Sequence, residues 1–452
     1  VGNDRGMPIA TVNPTTGETE KVFDPDADEL VEAKLAAAAE AAAVLRGTSF
    51  EDRAHLASSA ADLLEGELPD IARVLTTEMG KTFTSAKAEV AKCANALRYY
   101  AEHAAAMLAD EVLPSAASRS WVRYEPMGPV LAVMPWNFPM WQVTRFAAPA
   151  LMAGNVGLLK HASNVPQTAL LIEDVFRRAG YPPGAFQTLL VESGRVDGVI
   201  GDDRVRAVTL TGSEGAGRAV AATAGRMLKK SVLELGGSDP FVVLPSADVE
   251  RAAAVGVQAR VQNNGQSCIA AKRFIVHGAV YEAFTAAFVE AMTRLSVGDP
   301  MDSTTEVGPL ATAQGRHDIV AQVEDARAKG AEVLCGGRSL EGPGFFYAPT
   351  VLAGITPSMR VHGEEVFGPV ALLHRADDTA DALAQANDSA FGLGASVWTE
   401  DGEEQDRFVR GLEAGMVFVN AMVASTPELP FGGTKRSGYG RELSTLGIKE
   451  FC

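Results

Sequence analysis

A chain of 452 residues, 47% hydrophobic and 21% charged, exceeds one ordinary core and points to two or three globular domains, excluding disordered and membrane classes. A formal net charge of −17 without a concentrated basic stretch excludes nucleic acid as a partner and suits solubility. The cysteines, Cys93, Cys268, Cys335 and Cys452, lie too far apart for a metal-ligand spacing, so no metal is expected, and a reducing, cytoplasmic setting is.

The opening V-G-N-D-R-G-M-P-I lacks the basic flank and apolar core of a signal peptide, and Met7 is the expected native start. No apolar run nears the ~18 residues of a membrane span, so no membrane is expected either. Residues 27–46 and 51–67, rich in alanine and leucine, predict helices, and 85–110 a longer one. Past Pro114, residues 121–124 read as a strand. From Val130 the pattern alternates: strand-like 155–160, 186–191, 208–211 and 232–234 are separated by helix-like 167–179 and 216–229. That βαβ rhythm predicts an α/β fold with a doubly wound parallel sheet. A second alternating block follows Gly236, through the apolar run 366–373. The expected division is a cofactor-binding domain at 1–113 and 125–235, a catalytic domain at 236–429, and small bridging or oligomerisation segments at 114–124 and 430–452.

Three stretches carry chemistry. Residues 262–274, Q-N-N-G-Q-S-C-I-A-A-K-R-F, set Cys268 in a small polar loop before an apolar run, where a thiolate nucleophile would meet a substrate; a buried structural cysteine sits among apolar residues instead. A lone loop cysteine is more often inert, so its companions decide. Residues 232–237, V-L-E-L-G-G, carry Glu234 into a glycine turn, a candidate general base. Residues 130–139, V-L-A-V-M-P-W-N-F-P, end a buried strand on Pro135 and hold the amide of Asn137 between aromatics and prolines, suited to donate to an oxyanion.

With P-W-N-F-P, L-E-L-G-G and G-Q-S-C in this order, the sequence resembles the aldehyde dehydrogenase superfamily. The resemblance runs from N-P-T-T-G-E at 13–18 to E-E-V-F-G-P at 364–369 and P-F-G-G-T-K-R-S-G-Y-G-R-E at 430–442. T-E-M-G-K, L-L-K-H-A-S-N-V-P and the ending G-I-K-E-F-C are similar to the bacterial succinate-semialdehyde dehydrogenases. The implied activity is NAD(P)-dependent oxidation of succinate semialdehyde through a thiohemiacetal and thioester on Cys268, with Asn137 and the Cys268 N–H holding the oxyanion and Glu234 activating water. Two alternatives stay open: a dehydrogenase for another acidic or polar aldehyde such as glutarate semialdehyde, and a non-catalytic binding protein on the same fold.

The usual dinucleotide fingerprint is absent, since Val220 stands where the third glycine belongs. Residues 209–217, T-L-T-G-S-E-G-A-G, suit either a phosphate-binding helix start or an ordinary strand-to-helix turn. The resemblance favours the former, setting Gly212 and Ser213 against the pyrophosphate and Lys160 against the adenosine ribose. It also implies that Trp136, Asn137 and Leu235 line the cofactor, with Glu365 on the nicotinamide ribose and Phe367 beside it. Where NAD-preferring relatives often carry a glutamate, this chain has Ser163. A serine tolerates a 2′-phosphate that a carboxylate would repel, so NADP is the preferred cofactor, with NAD possible.

For the substrate's far carboxylate the candidate cation is Arg145, where relatives acting on apolar aldehydes often have an aromatic, and Ser425 adds a hydroxyl. Gln262 replaces a second arginine of other succinate-semialdehyde dehydrogenases, and Ala270 replaces a partner cysteine, so no disulfide switch at the nucleophile is expected. Relatives continue beyond Cys452 into a strand of an oligomerisation sheet, which implies a homodimer or homotetramer and leads us to expect more chain after Cys452.

Overall fold

The computed structural model describes residues 8–452; residues 1–7, with the expected start at Met7, lie outside the described part. The alanine-rich segments form the helices Asp28–Arg46, Phe50–Gly66 and Phe83–Met107, because alanine and leucine lose little side-chain freedom there. Val31, Leu35, Ala38, Ala41 and Leu45 recur at helical spacing and bury one face of the first. Ser49 and Asp52 close a capping box on the second, exchanging bonds of 3.0 and 3.1 Å. One helix, Leu68–Met79, was not anticipated. Its Pro69 looks like a breaker, yet in the first turn the missing N–H has no partner to lose.

Six strands make the first sheet, in the order Gly438–Tyr439, Lys230–Glu234, Ala207–Thr211, Pro129–Met134, Val156–His161, Phe186–Thr188. Every pair is parallel except the first. From Pro129–Met134 the chain winds outward one way through Val156–His161 to Phe186–Thr188, then returns to the other side through Ala207–Thr211 and Lys230–Glu234. Pro129–Met134 is therefore a topological switch point, and a crevice opens at the carboxyl ends of the strands there. Both central strands are buried along their whole length, as a parallel sheet covered on both faces requires.

The second sheet has seven strands, ordered Glu332–Cys335, Thr350–Ala353, Val370–Ala376, Ala271–His277, Asp239–Val243, Gly394–Trp398, Met416–Val419. It is again parallel apart from its first pair. The chain passes from one sheet to the other between Glu234 and Asp239.

The segment 430–452 returns to the first sheet. Gly438–Tyr439 pairs with Leu233 and Glu234 at the edge of the first sheet, and the Phe451 ring packs edge-on against Phe146. The other small segment belongs to an exposed two-stranded ribbon, Glu111–Val112 against Trp121–Val122.

Candidate active site

The nucleophile loop is held in a conformation few residues tolerate. Asn263, Asn264 and Gly265 all take positive φ, at 56°, 58° and 76°, a region that asparagine and glycine enter most readily. Buried side chains pin the loop. Asn264 donates to the Gly80 and Pro309 carbonyls at 2.8 and 3.0 Å and accepts from the Gly308 N–H at 2.8 Å. Arg260 donates to the Gly265 carbonyl at 2.7 Å, and Gln266 accepts from the Ala311 N–H at 2.9 Å. A Cβ on Gly265 would lie 2.4 Å from the Gly368 carbonyl carbon, so the loop rests directly on the E-E-V-F-G-P segment.

Lys272 reaches back from the following strand to the Ser267 and Cys268 carbonyls, at 2.7 and 2.6 Å, and to Glu365 at 3.1 Å. Burial pushes the Cys268 thiol up to about 12, and the charges of Arg145 and Lys272 offset only part of this. The resting side chain is therefore a thiol that must give its proton to a base.

Asn137 lies just past the carboxyl end of the switch-point strand, 4% exposed. Its Nδ2 donates to the Gln266 carbonyl at 3.1 Å, while Asn263 donates to the Asn137 carbonyl at 2.7 Å. Asn137 and the loop that carries Cys268 are thus tied into one unit. The helix that follows, Trp141–Ala153, has no cap of its own sequence. Glu89, from the long helix, accepts from the Met140 and Trp141 N–H groups, each at 2.9 Å, and is ion-paired with Lys81.

Glu234 ends its strand 2% exposed. Burial, followed by the nearby Glu442 carboxylate, raises its carboxyl well above the usual range, with Arg145 and Arg441 opposing. Cys268 and Glu234 thus sit in the field of the same guanidinium. The L-E-L-G-G glycines are needed for space: a Cβ on Gly237 would come 2.7 Å from the Cys268 carbonyl, and one on Gly236 2.4 Å from Glu365. Gly237 N–H donates to Glu365 at 3.1 Å.

The residues assigned to the cofactor gather along the carboxyl edge of the first sheet. Lys160 lies within the strand Val156–His161 and Ser163 just beyond it. Gly212 donates to the Glu234 carbonyl at 2.9 Å. Ser213 caps the helix Glu214–Arg226, accepting from the Ala216 N–H at 3.3 Å. Leu235 packs so closely on that helix that a Cβ on Gly217 would sit 2.7 Å from its Cδ1. The Trp136 and Phe367 rings meet edge to face, centroids 5.7 Å apart.

Arg145, the cation expected for the substrate's far carboxylate, is enclosed. It is 1% exposed, ion-paired with Glu442, 3.3 Å from Thr211 Oγ1 and stacked 4.2 Å from the Phe431 ring centroid. Its guanidinium charge also acts on Cys268 and Glu234. Gln262 donates to the Ala259 carbonyl at 3.3 Å. Ser425 accepts from Trp141 Nε1 at 3.0 Å and from Lys92 Nζ at 2.8 Å.

Sequence reading gave no role to Lys92, Lys272, Arg260, Glu89 or Glu442. Lys272 alone carried a visible signal, a charge at the head of an apolar run. All four cysteines are free. Among the described residues no cluster of His, Cys, Asp and Glu could hold a metal, and no helix is long and apolar enough to cross a membrane.

Known proteins resemble this chain over almost its whole length. A protein from Mycolicibacterium paratuberculosis named succinate-semialdehyde dehydrogenase [NADP(+)] is 59% identical over 450 residues, covering 99% of this chain and 95% of that protein. One from Mycobacterium tuberculosis, named succinate-semialdehyde dehydrogenase [NADP(+)] 1, is 58% identical over 449 residues, covering 99% and 98%. Among solved structures, succinic semialdehyde dehydrogenase from Streptococcus pyogenes in complex with NADP+ superposes with a TM-score of 0.96 at 37% identity, covering 98% of this chain and 97% of that one. With residues 2–452 matching the aldehyde dehydrogenase family pattern as well, the chain belongs to the aldehyde dehydrogenase family.

Proposed function

We propose that this protein oxidises succinate semialdehyde to succinate with NADP+ as the preferred oxidant. The observation that carries the reading is the joining of Cys268, in its pinned loop, to the Asn137 amide, with Glu234 enclosed at the end of the adjoining strand. The relatives named for this activity supply the substrate and cofactor.

The crevice fits a phosphorylated dinucleotide. Ser213 opens its helix just past the carboxyl end of the strand Ala207–Thr211, Lys160 adds a cation, and no carboxylate stands at position 163. Bound there, the nicotinamide supplies the hydride acceptor. This chain does the rest. Cys268 gives up its proton and its sulfur adds to the aldehyde carbon. An amide nitrogen carries two hydrogens, so the Asn137 bond to Gln266 leaves one for the oxyanion, beside the Cys268 N–H. Once hydride has left, Glu234 takes a proton from the water that splits the thioester. A homodimer or homotetramer is the proposed assembly, in a reducing cytoplasm.

Initial rates of the purified protein with succinate semialdehyde, glutarate semialdehyde and butanal, each with NADP+ and NAD+, test the reading. Succinate semialdehyde with NADP+ is expected to give the highest kcat/KM, Cys268→Ala none, and Ser163→Glu a shift toward NAD+. A higher kcat/KM for butanal, or oxidation by Cys268→Ala, overturns it.

A further inference from the structure

Lys272 has a fully buried side chain in the strand Ala271–His277. An ammonium so enclosed needs its three hydrogens met and its charge balanced. Two hydrogens go to the Ser267 and Cys268 carbonyls, at 2.7 and 2.6 Å, and the third faces Glu365 Oε1 at 3.1 Å. Gly237 N–H donates to the same oxygen at 3.1 Å, and a Cβ on Gly237 would lie 2.7 Å from the Cys268 carbonyl oxygen. The next residue, Arg273, is used up on the Ser238, Gln385 and Ala386 carbonyls. Among the described residues Lys272 is therefore the one cation paired with Glu365.

From this geometry we propose that Lys272 is a positioning residue, which fixes the nucleophile Cys268 and the cofactor carboxylate Glu365 to one another. Its bonds to two successive carbonyls set the turn from which the Cys268 side chain leaves. Its charge also favours the thiolate, against the burial that disfavours it. At the other end, the ammonium and the Gly237 N–H both occupy Glu365 Oε1. Oε2 is left for a ribose hydroxyl, so the carboxylate meets the cofactor in one orientation. Sulfur and ribose are thereby referred to the same buried charge, and the reacting atoms keep a set separation, where a misplacement of about 1 Å costs on the order of 100-fold in rate. With all three hydrogens in use, Lys272 neither binds the aldehyde nor passes a proton.

The inference rests on the proposed NADP+-dependent oxidation with Glu365 on the nicotinamide ribose, and each end of the hold has its own readout. At the cofactor end, Lys272→Met is expected to raise the NADPH dissociation constant, measured by fluorescence, about 10-fold, the lower range of a lost hydrogen bond to a charged group. The same change should hardly raise it when Glu365→Gln is already in place. At the nucleophile end, alkylation of Cys268 by iodoacetamide without cofactor, followed by mass spectrometry of its peptide, is expected to slow about 10-fold, the effect of one pKa unit on the thiolate fraction. Turnover should fall by the same factor for succinate semialdehyde and butanal. Unchanged alkylation overturns the inference. So does a rise in the dissociation constant that persists in the Glu365→Gln background, which is what a merely structural lysine would give. Should Lys272→Met not fold, Lys272→Gln, which keeps two hydrogens but no charge, is read in the same way. A wild-type protein that binds NADPH but prefers butanal undoes the substrate reading alone. An NADPH affinity unchanged by Glu365→Gln removes the ribose role of Glu365 and the inference with it.

Discussion

Enclosure suits Glu234 to the proposed role of base. A carboxyl in water would be fully ionised at neutral pH and a weak proton acceptor, whereas burial and the Glu442 charge raise this one well above the usual range. Its ionised fraction therefore grows as pH rises through that raised value, and thioester hydrolysis grows with it. Glu234→Gln removes the proton acceptor but keeps the shape. The expected outcome is a burst of about one NADPH per site followed by a steady rate at least 100-fold lower, within the usual worth of a general base. A rapid-mixing absorbance trace checks it; a normal steady rate would assign the base elsewhere. At this scale the sequence was most informative, since Cys268, Glu234 and Asn137 were each marked by a polar or glycine-bearing interruption of an apolar run. What they lacked in sequence was a reason for their environment. Gly237 lies against the Cys268 carbonyl and Gly432 against the Glu234 carboxylate, where a Cβ would fall 2.8 Å away, and such closeness between distant positions leaves no local trace.

Polar connections join elements far apart in the chain. The Arg145–Glu442 pair joins the helix Trp141–Ala153 to the segment that follows the strand Gly438–Tyr439. Both side chains are almost wholly buried, so removing one strands the other's charge in a poorly solvating interior. Arg145→Met is expected to cost roughly 3–5 kcal/mol, read as a lowered denaturation midpoint, and the double variant Arg145→Met with Glu442→Met is expected to recover much of that. The guanidinium also holds down the Cys268 and Glu234 pKa values. Its loss should move the activity profile toward higher pH for succinate semialdehyde and butanal alike. A further loss confined to the acidic aldehyde would assign Arg145 to the substrate carboxylate as well. Alternating strands and helices were readable in the sequence because each βαβ unit is local. That Arg145 pairs with a carboxylate nearly 300 positions away was not.

At the scale of the molecule, the parallel sheets follow from continuous apolar strands, but the ribbon formed by Glu111–Val112 and Trp121–Val122 follows a different logic. It has two strands, and a ribbon of that size is barely stable alone in water. Its apolar side chains are exposed, Val112 by 72%, Leu113 by 49% and Trp121 by 42%. What holds it within one chain is polar and peripheral: Arg123 to Asp110 at 2.8 Å, and Tyr124 to Glu111 at 2.9 Å, with Lys449 also on Glu111. Exposed ion pairs of this kind contribute at most about 1 kcal/mol each. An exposed apolar edge with such weak support gains most from being covered by another copy, as the oligomerisation role expected for 114–124 would require. Charges set into that edge would have to be desolvated in the assembly yet stay fully hydrated in a single chain. Val112→Lys combined with Trp121→Lys is therefore expected to lower the mass measured by light scattering at a fixed protein concentration. The thermal midpoint should fall with it, because the ribbon loses its cover. A mass equal to that of the unaltered protein would mean that these residues face solvent in the assembly, and that any contact between copies lies on another surface.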